Sequence, residues 1–188
     1  MILGLICAIV RYYKVPVFRH IITAYIELSR NTPVLIDFFF LYFGLTRLGI
    51  KIDSFACAVI GLTFLGGSYM AESFRSGLDA VHKGQIEAGA SLGFTRFQIT
   101  RYIVLPQAIA VAMPSIGANV LFLLKETSLV SVLALADLMF IAKDLIGLYY
   151  KTNEALFMLV ISYLILLLPL SFLFRFLEKR MRFVSYGR

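Results

Sequence analysis

Two adjacent charged residues interrupt the longest apolar stretch of this 188-residue sequence, which covers residues 103–142. They are Lys125 and Glu126, and the hydroxyl residues Thr127 and Ser128 follow them directly. A cation beside an anion could bind the carboxylate and the ammonium of a zwitterion, while the hydroxyls could satisfy interrupted backbone groups. The two charged side chains could instead extend along apolar surface to reach water at an interface. Both interpretations stay open on the sequence.

Two further carboxylates lie within or beside apolar segments, where an ionisable group is costly and needs an explanation. Asp37 either faces a water-filled cavity, which would favour a cationic or strongly polar ligand, or pairs with Arg30, and we favour the pairing. Glu72 and Arg75 are three residues apart and therefore share one face of a helix. For Glu72 an ion pair with Arg75 is favoured over a ligand-binding role.

The remaining reactive residue types do not form a pattern that supports catalysis or metal binding. His20 and His82 stand alone, without neighbours at metal-ligand spacing, and Cys7 and Cys57 lie inside apolar runs. The nearest approach to a phosphate-binding loop, at residues 61–68, has a glycine where the essential lysine must stand. No His, Asp or Ser constellation recurs at a suitable depth, so a membrane-embedded enzyme is disfavoured, and no ATP hydrolysis by this chain is expected.

The elements that carry these residues are apolar helices. The sequence is 60% hydrophobic and 15% charged, with a mean hydropathy of +0.87, which excludes an ordinary soluble enzyme. Crossings are predicted for four segments of suitable length and for a shortened first one, whose upstream part could lie outside this sequence: residues 1–10, 33–48, 55–71, 103 to about 125, and 155–174. The predicted fold is all-α, a polytopic membrane protein with about five transmembrane helices.

The basic residues predict the orientation of these helices. If the crossings alternate, 13 of the 18 Lys and Arg residues lie on one side of the membrane and 5 on the other. Since basic loops are retained in the cytoplasm, the richer side, which includes the C-terminus, is predicted to be cytoplasmic. The net charge of +7 therefore needs no nucleic acid to explain it.

The longest polar interval between crossings, residues 72–102, falls on the predicted cytoplasmic side. Residues 84–93 have helix-forming content and end at Gly93, a residue type that commonly terminates helices. Thr95 and Gln98 have the spacing of a capping box, so a second helix is predicted to start there and to run to Leu105, before Pro106. The interval is thus predicted to form a helix, a glycine hinge and a second helix.

This interval resembles the cytoplasmic signature of importer-type ABC permeases. That signature is E-A-A, three residues, G, nine residues, I, one residue and L-P, and the matching residues are Glu87, Ala88, Gly89, Gly93, Ile103, Leu105 and Pro106. The one departure is Gly89 in place of the second alanine. Three further segments resemble permeases of the polar amino-acid uptake family, which includes histidine, glutamine and arginine permeases: ELSRNTP at 27–33, YMAESFR at 69–75 and LKETSL at 124–129.

The resemblance implies a permease subunit of an ABC importer, formed by residues 1–188 as a single domain in a prokaryotic cell membrane. Residues 84–106 would be the coupling segment that docks on a separate ATPase subunit, which holds ATP and magnesium, whereas this chain would bind no cofactor. Implied coupling residues are Glu87, Ala88, Gly89, Gly93, Arg96 and Pro106. Other implied partners are a second permease chain, the same or homologous, an extracellular or periplasmic substrate-binding protein, membrane lipid and the amino acid itself.

Alternatives remain at this point. The coupling segment could lie on the membrane surface, with Arg96 and Arg101 meeting lipid phosphates. The chain could be a permease for another small polar solute, a passive channel or an assembly protein. If it is an amino-acid permease, the candidate residues of the substrate pathway are Asp37, Glu72, Lys125, Glu126, Thr127 and Ser128.

Overall fold

The computed structural model describes residues 1–186, which form helices joined by short connections, with no strand among them. In chain order the α-helices are α1 (Ile2–Tyr12), α2 (Phe18–Asn31), α3 (Val34–Phe39), α4 (Leu45–Arg47), α5 (Ser54–Asp79), α6 (Lys83–Ser91), α7 (Arg96–Ile99), α8 (Leu105–Glu126), α9 (Leu138–Tyr149) and α10 (Thr152–Tyr186). Two π-helical turns, Phe40–Gly44 and Thr100–Val104, and one 3₁₀ segment, Thr127–Leu133, join neighbouring helices. The all-α prediction is confirmed.

Helix α5 lies at the centre of the bundle, with α1, α2, α3 and α8 packed along it. Its 26 residues make it roughly 39 Å long, which exceeds the roughly 30 Å of a bilayer core. Small residues let the neighbouring helices approach closely, as is common in membranes. A Cβ at Gly77 would overlap the backbone of Ala108, and one at Gly4 would lie 2.9 Å from the backbone nitrogen of Ala71. Because α1, α2, α3 and α8 all contact α5, the position of a residue in the bundle is given below as its distance along α5 from the first residue of that helix.

The prediction of about five crossings is confirmed. Within residues 1–186, three helical stretches are long and apolar enough to cross a membrane: Ser54–Asp79, Arg96–Leu133 and Thr152–Met181. Helix α1, with 11 residues or roughly 17 Å, corresponds to the predicted shortened first crossing and is by itself too short to span a bilayer core. The remaining crossing is interrupted and consists of α2, α3 and α4 in series.

This interrupted crossing begins earlier than the apolar pattern indicates. The predicted span over residues 33–48 leaves Arg30 in a flanking loop, but α2 already packs along α5, where the hydroxyls of Ser29 and Ser68 lie 2.9 Å apart in a hydrogen bond. Helix α2 is amphipathic, with a polar exposed face, so its composition does not resemble that of a span. Pro33 has no backbone donor and separates α2 from α3.

The long apolar stretch divides where its charged residues suggested. Helix α8 ends at Glu126, the 3₁₀ segment follows, and Ala134 adopts a left-handed conformation with φ of 57°. Asp137 then caps α9, because its carboxylate accepts a hydrogen bond of 2.8 Å from the backbone of Phe140. At roughly 18 Å, α9 is too short to cross a bilayer. The chain then enters α10 for the last crossing.

Candidate functional site

Arg30 lies near the middle of the bundle. The preceding residue, Ser29, is hydrogen bonded to Ser68, which stands roughly 21 Å from the first residue of α5 and roughly 17 Å from the last. The guanidinium carbon of Arg30 lies over the ring of Tyr69, 5.1 Å from its centroid. Tyr69 in turn packs against Phe122 of α8, with ring centroids 5.2 Å apart. Arg30 is exposed, and no carboxylate of residues 1–181 lies within 4.0 Å of it.

Lys125 and Glu126 lie deep in the bundle, one turn beyond a contact between Leu123 and Gly66. That contact stands roughly 18 Å along α5, which places Glu126 roughly 13 Å from the first residue of α5. Glu126 is half-buried and Lys125 is exposed, and neither forms an ion pair with residues 1–181. A helix break at this depth, rather than the end of a crossing, accounts for their position.

The two hydroxyl residues after Glu126 are half-buried in the first turn of the 3₁₀ segment. The Thr127 hydroxyl donates a 2.7 Å hydrogen bond to the carbonyl of Leu124. This is the role expected of a hydroxyl where a helical backbone is interrupted. Ser128 provides a second hydroxyl beside it.

Asp37 does not pair with Arg30, which corrects the interpretation favoured from the sequence. Asp37 lies beside Gly61 of α5, roughly 10 Å closer to the first residue of α5 than Ser68 is. Arg30 is engaged by the Tyr69 ring instead. One carboxylate oxygen of Asp37 is buried and has no hydrogen-bond partner in the part of the chain that the structure describes.

These observations define a set that we call the central charges: Arg30, Asp37, Lys125 and Glu126. They lie roughly 10–21 Å along α5 from its first residue, on α2, α3 and α8, and none of them has an ion-pair partner among residues 1–181. Two are cationic and two anionic. Groups of both signs are what the two charges of a zwitterion need, and a purely apolar crossing cannot provide them.

Ion pairs are formed at the Asp79 end of α5. The predicted pair of Glu72 and Arg75 is present, with a nitrogen to oxygen distance of 2.7 Å, and Arg75 also binds Asp79 at 2.6 Å. The other oxygen of Glu72 accepts a hydrogen bond from Arg11 of α1, a partner that sequence reasoning missed. Both oxygens of Glu72 are therefore engaged, and the group links α1 to α5.

A partly buried hydrogen-bonded cluster between α5 and α8 also escaped the sequence analysis. The hydroxyls of Ser73 and Ser115 lie 2.7 Å apart, and the Asn119 amide donates to the Ser73 hydroxyl at 2.8 Å and to the Tyr69 carbonyl at 3.3 Å. Ser115 and Asn119 are four residues apart on α8, which is the spacing of one helical face. That spacing is the signal that could have revealed them. The cluster holds α8 against α5.

The coupling segment of residues 84–106 presents some signature residues to solvent and buries others. Glu87, Ala88 and Arg96 are exposed. Gly89 is buried, and a Cβ there would lie 2.6 Å from the Cδ1 atom of Ile103. The small residue at position 89 thus permits close packing within the segment itself.

The hinge and cap of the segment have the expected geometry. Gly93 has a φ of +83°, which favours glycine, and it separates α6 from α7. In the capping box the Thr95 hydroxyl accepts from the backbone of Gln98 at 3.3 Å, and the Gln98 side chain accepts from the backbone of Thr95 at 2.8 Å. The second helix therefore begins where the sequence predicted.

The sequence analysis expected the second helix to end before Pro106, but the helix continues through this residue. A π-helical turn, Thr100–Val104, leads directly into α8, and the backbone N–H of Leu105 bonds to the carbonyl of Thr100, five residues back. The widened turn accommodates a proline that would clash in a regular helix. Residues 96–126 consequently form one continuous helical rod from the hinge to Glu126.

Residues 1–183 match the protein family described as binding-protein-dependent transport system inner membrane component. The chain belongs to this family. This transport component is 36% identical, over 180 residues, to the probable glutamine ABC transporter permease GlnM of Bacillus subtilis (strain 168). The match covers 96% of the chain and 83% of the relative. It is 33% identical, over 184 residues, to the glutamine transport system permease GlnP of Escherichia coli K12, and this match covers 97% of the chain and 84% of the relative. The resemblance stated from the motifs is confirmed.

Solved structures agree with this assignment. The transport component superimposes with a TM-score of 0.87 and 33% identity on a chain from the crystal structure of an amino acid ABC transporter with histidines, covering 95% of this chain and 84% of that one. A chain of the inward-facing MetNI methionine ABC transporter matches with a TM-score of 0.74 at 18% identity, which shows a shared fold. The residues that the structure describes contain no group of three His, Cys, Asp or Glu that could hold a metal ion.

Proposed function

We propose that this chain is the permease subunit of an ABC importer that moves a polar amino acid into the cytoplasm. ATP would be bound and hydrolysed with magnesium on separate ATPase subunits, and this chain would have no catalytic role of its own. The relatives named as glutamine permeases support the substrate class. The observation that carries the proposal is the set of central charges, two of each sign and without ion-pair partners in the described part of the chain.

The central charges suit a substrate that must give up water in the membrane. An amino acid carries a carboxylate and an ammonium, and both lose hydration at this depth. Groups of opposite charge replace that hydration, and the low dielectric surroundings strengthen each contact. The break after Glu126 adds hydroxyls at Thr127 and Ser128, in the manner of transporters that bind substrates at interrupted helices near the membrane midplane. We keep Asp37 and residues 125–128 in the pathway and assign Glu72 to the link between α1 and α5.

The coupling segment would transmit motion from the ATPase to this pathway. Glu87 and Ala88 are exposed for contact with the ATPase, while Gly89 packs the segment together. The rod formed by residues 96–126 connects the segment to the central charges without an intervening loop, because it continues through Pro106. A displacement of the segment would therefore move Glu126 directly, and Gly93 and Arg96 lie where the hinge meets the rod.

The complete transporter would contain a second permease chain, the same or homologous, two ATPase subunits and an extracellular or periplasmic binding protein. It would lie in a prokaryotic cell membrane, with the coupling segment and the C-terminus in the cytoplasm. A cysteine in place of Ser91, which is exposed on α6, tests this orientation. We expect a membrane-impermeant thiol reagent to label it in inside-out vesicles and not in intact cells, and the reverse pattern would contradict the proposed topology.

Uptake by a reconstituted complex tests the function. The chain would be assembled with its ATPase and binding protein in proteoliposomes and supplied with a panel of radiolabelled amino acids and other small polar solutes. We expect ATP-dependent uptake of at least one polar amino acid. Uptake that needs no ATP would indicate a passive channel, and uptake restricted to other polar solutes would indicate a different substrate class. Either result would contradict the proposal.

Charge reversal at the coupling segment tests the proposed docking. In Glu87→Lys we expect uptake and substrate-stimulated ATPase activity to fall about tenfold or more, because an exposed carboxylate that meets a basic partner is replaced by a cation. Gln85→Lys is the matched control, since Gln85 is exposed on the same helix but lies outside the signature. Membrane insertion of both variants, measured by quantitative immunoblotting of membranes, should equal that of the wild type. Normal uptake by Glu87→Lys would contradict the coupling role.

A further inference from the structure

We infer that Arg30 binds the carboxylate of the transported amino acid, and that Tyr69 is the platform that orients its guanidinium group. This inference rests on the proposed function and refines it. The sequence analysis left Arg30 outside the predicted span over residues 33–48 and offered Lys125 as one possible ligand of the carboxylate, with an interfacial position as the open alternative. The position of α2 in the bundle changes that assignment.

The backbone beside Arg30 is firmly anchored. The Ser29 hydroxyl bonds both to the Ser68 hydroxyl and to the carbonyl of Phe64, each at 2.9 Å, and Tyr25 donates to the same carbonyl at 2.7 Å. These contacts fix the end of α2 against the middle of α5, one residue before Arg30. The backbone of Arg30 is therefore held in place beside Ser68, near the middle of α5.

The charge of Arg30 needs a polar space or an anion beside it. An arginine stays charged at any accessible pH, and at this depth lipid cannot solvate it. Its side chain is exposed on the surface of this single chain. Among residues 1–181, the one partner found for its charge is the Tyr69 ring. A group that is exposed, cationic and distant from both ends of α5 must face a polar space or an anion, since facing hydrocarbon would cost several kcal/mol.

The contact with Tyr69 leaves the hydrogen-bonding capacity of Arg30 available. A cation over an aromatic face uses the ring quadrupole and consumes none of the five N–H donors. Those donors form a planar fork that matches a carboxylate in two parallel hydrogen bonds. Lys125, by contrast, is a flexible point charge, exposed and without a platform in the described chain. Arg30 is thus better prepared to orient a carboxylate, with less freedom to lose on binding.

The platform also connects the carboxylate site to the opposite charge. Tyr69 packs against Phe122, which lies four residues before Glu126 on α8 and therefore on the same helical face. An amino acid held by Arg30 would contact elements that lead directly to Glu126, the anion at the end of the rod. The ammonium or a polar side chain would then be directed toward α8.

Ligand pairs that differ only in the carboxylate test this inference. The complex of permease and ATPase in lipid nanodiscs, without the binding protein, would be titrated with L-histidine and histamine, L-arginine and agmatine, and L-glutamine and 4-aminobutanamide. In Arg30→Gln we expect affinity for the transported amino acid to fall about tenfold or more, because a charge-assisted contact is lost, and affinity for its decarboxylated partner to change less than about twofold. Equal losses for both members of a pair would overturn the inference.

Matched variants separate binding from folding. Arg19→Gln removes an exposed arginine from the first turn of the same helix and should leave both affinities unchanged. Tyr69→Phe keeps the ring face and should bind both ligands of a pair like the wild type. Tyr69→Leu should weaken binding of the amino acid but not of its decarboxylated partner. If the wild-type complex takes up an amino acid but Arg30→Gln binds it normally, this inference is wrong and the proposed function stands. If the wild-type complex takes up no amino acid in the uptake assay, the proposed function fails, and this inference fails with it.

Discussion

Charged residues at the Asp79 end of α5 and charged residues near its middle are held in opposite ways. At the Asp79 end, Arg11, Glu72, Arg75 and Asp79 form a continuous set of ion pairs. The central charges, at the depth of the helix breaks, have no ion-pair partner among residues 1–181. Charges that satisfy one another stabilise a bundle, whereas unpaired charges within a membrane are costly, which is why we propose that the central charges serve a ligand.

The backbone follows the same division. Where the ion pairs lie, α5 is a regular helix and its contact with α8 is close, through Gly77 and Ala108. Around the central charges the helices are interrupted, at Pro33 between α2 and α3 and at Thr127 after α8. We therefore expect substitutions at the Asp79 end to affect stability and substitutions near the middle to affect transport.

The largest effect on stability is expected from Gly77→Leu. A Cβ at this position would overlap the Ala108 carbonyl and lie 2.9 Å from the Ala112 Cβ, so the two helix backbones must separate. We expect a loss of about 3 kcal/mol or more in the free energy of unfolding, since backbone cannot move aside as a side chain can. Thermal unfolding of the purified protein in detergent measures it. Gly84→Leu is the control, because a Cβ at Gly84 has no atom within 4 Å, and an equal loss there would contradict the explanation.

The same substitution at Glu72 and at Glu126 compares a paired charge with an unpaired one directly. Glu72→Gln removes the charge between Arg11 and Arg75, so we expect unfolding stability to fall by about 1–3 kcal/mol. Glu126→Gln removes an unpaired charge and should leave stability within about 0.5 kcal/mol while reducing uptake. Thermal unfolding and uptake of both variants are measured side by side. If Glu126→Gln takes up several amino acids normally, Glu126 belongs to an interface and not to the pathway.

A smaller effect is expected at Asp37. Its buried oxygen has no hydrogen-bond partner within the described residues, so Asp37→Asn should raise the free energy of unfolding by up to about 1 kcal/mol. Uptake of cationic amino acids should fall relative to neutral ones, because the replaced carboxylate would face the pathway. Asp53→Asn is the control, since asparagine caps α5 as well as aspartate does. A loss of stability in Asp37→Asn would show that the carboxylate has a partner.

Residues near one another in sequence were predicted well. The capping box of Thr95 and Gln98 and the hinge at Gly93 depend on a few consecutive backbone groups, which local chemistry determines. Glu72 and Arg75 pair because they are one helical turn apart. The continuation through Pro106 was missed, because a π-helical turn depends on how the rod packs and not on proline alone.

Residues far apart in sequence were not predicted. Nothing near Arg30 shows that α2 lies beside the middle of α5, since the helix is only moderately apolar and its packing face is visible only through its 3.6-residue period. Arg11 and Glu72 are separated by 61 residues, so their pairing depends on how α1 lies on α5. The same holds for the Ser73 cluster, which joins two crossings.

The sequence by itself determined that this protein is a helical membrane component of a transport system, because apolar length, basic asymmetry and motif spacing are properties of consecutive residues. It also determined the caps and the hinge of the coupling segment. Apart from the pair of Glu72 and Arg75, only the tertiary structure decided which charges are paired and which are left without an ion-pair partner, and how deep each one lies. Those properties depend on the registers of α2 and α8 against α5, which arise from packing between residues that the chain itself keeps far apart.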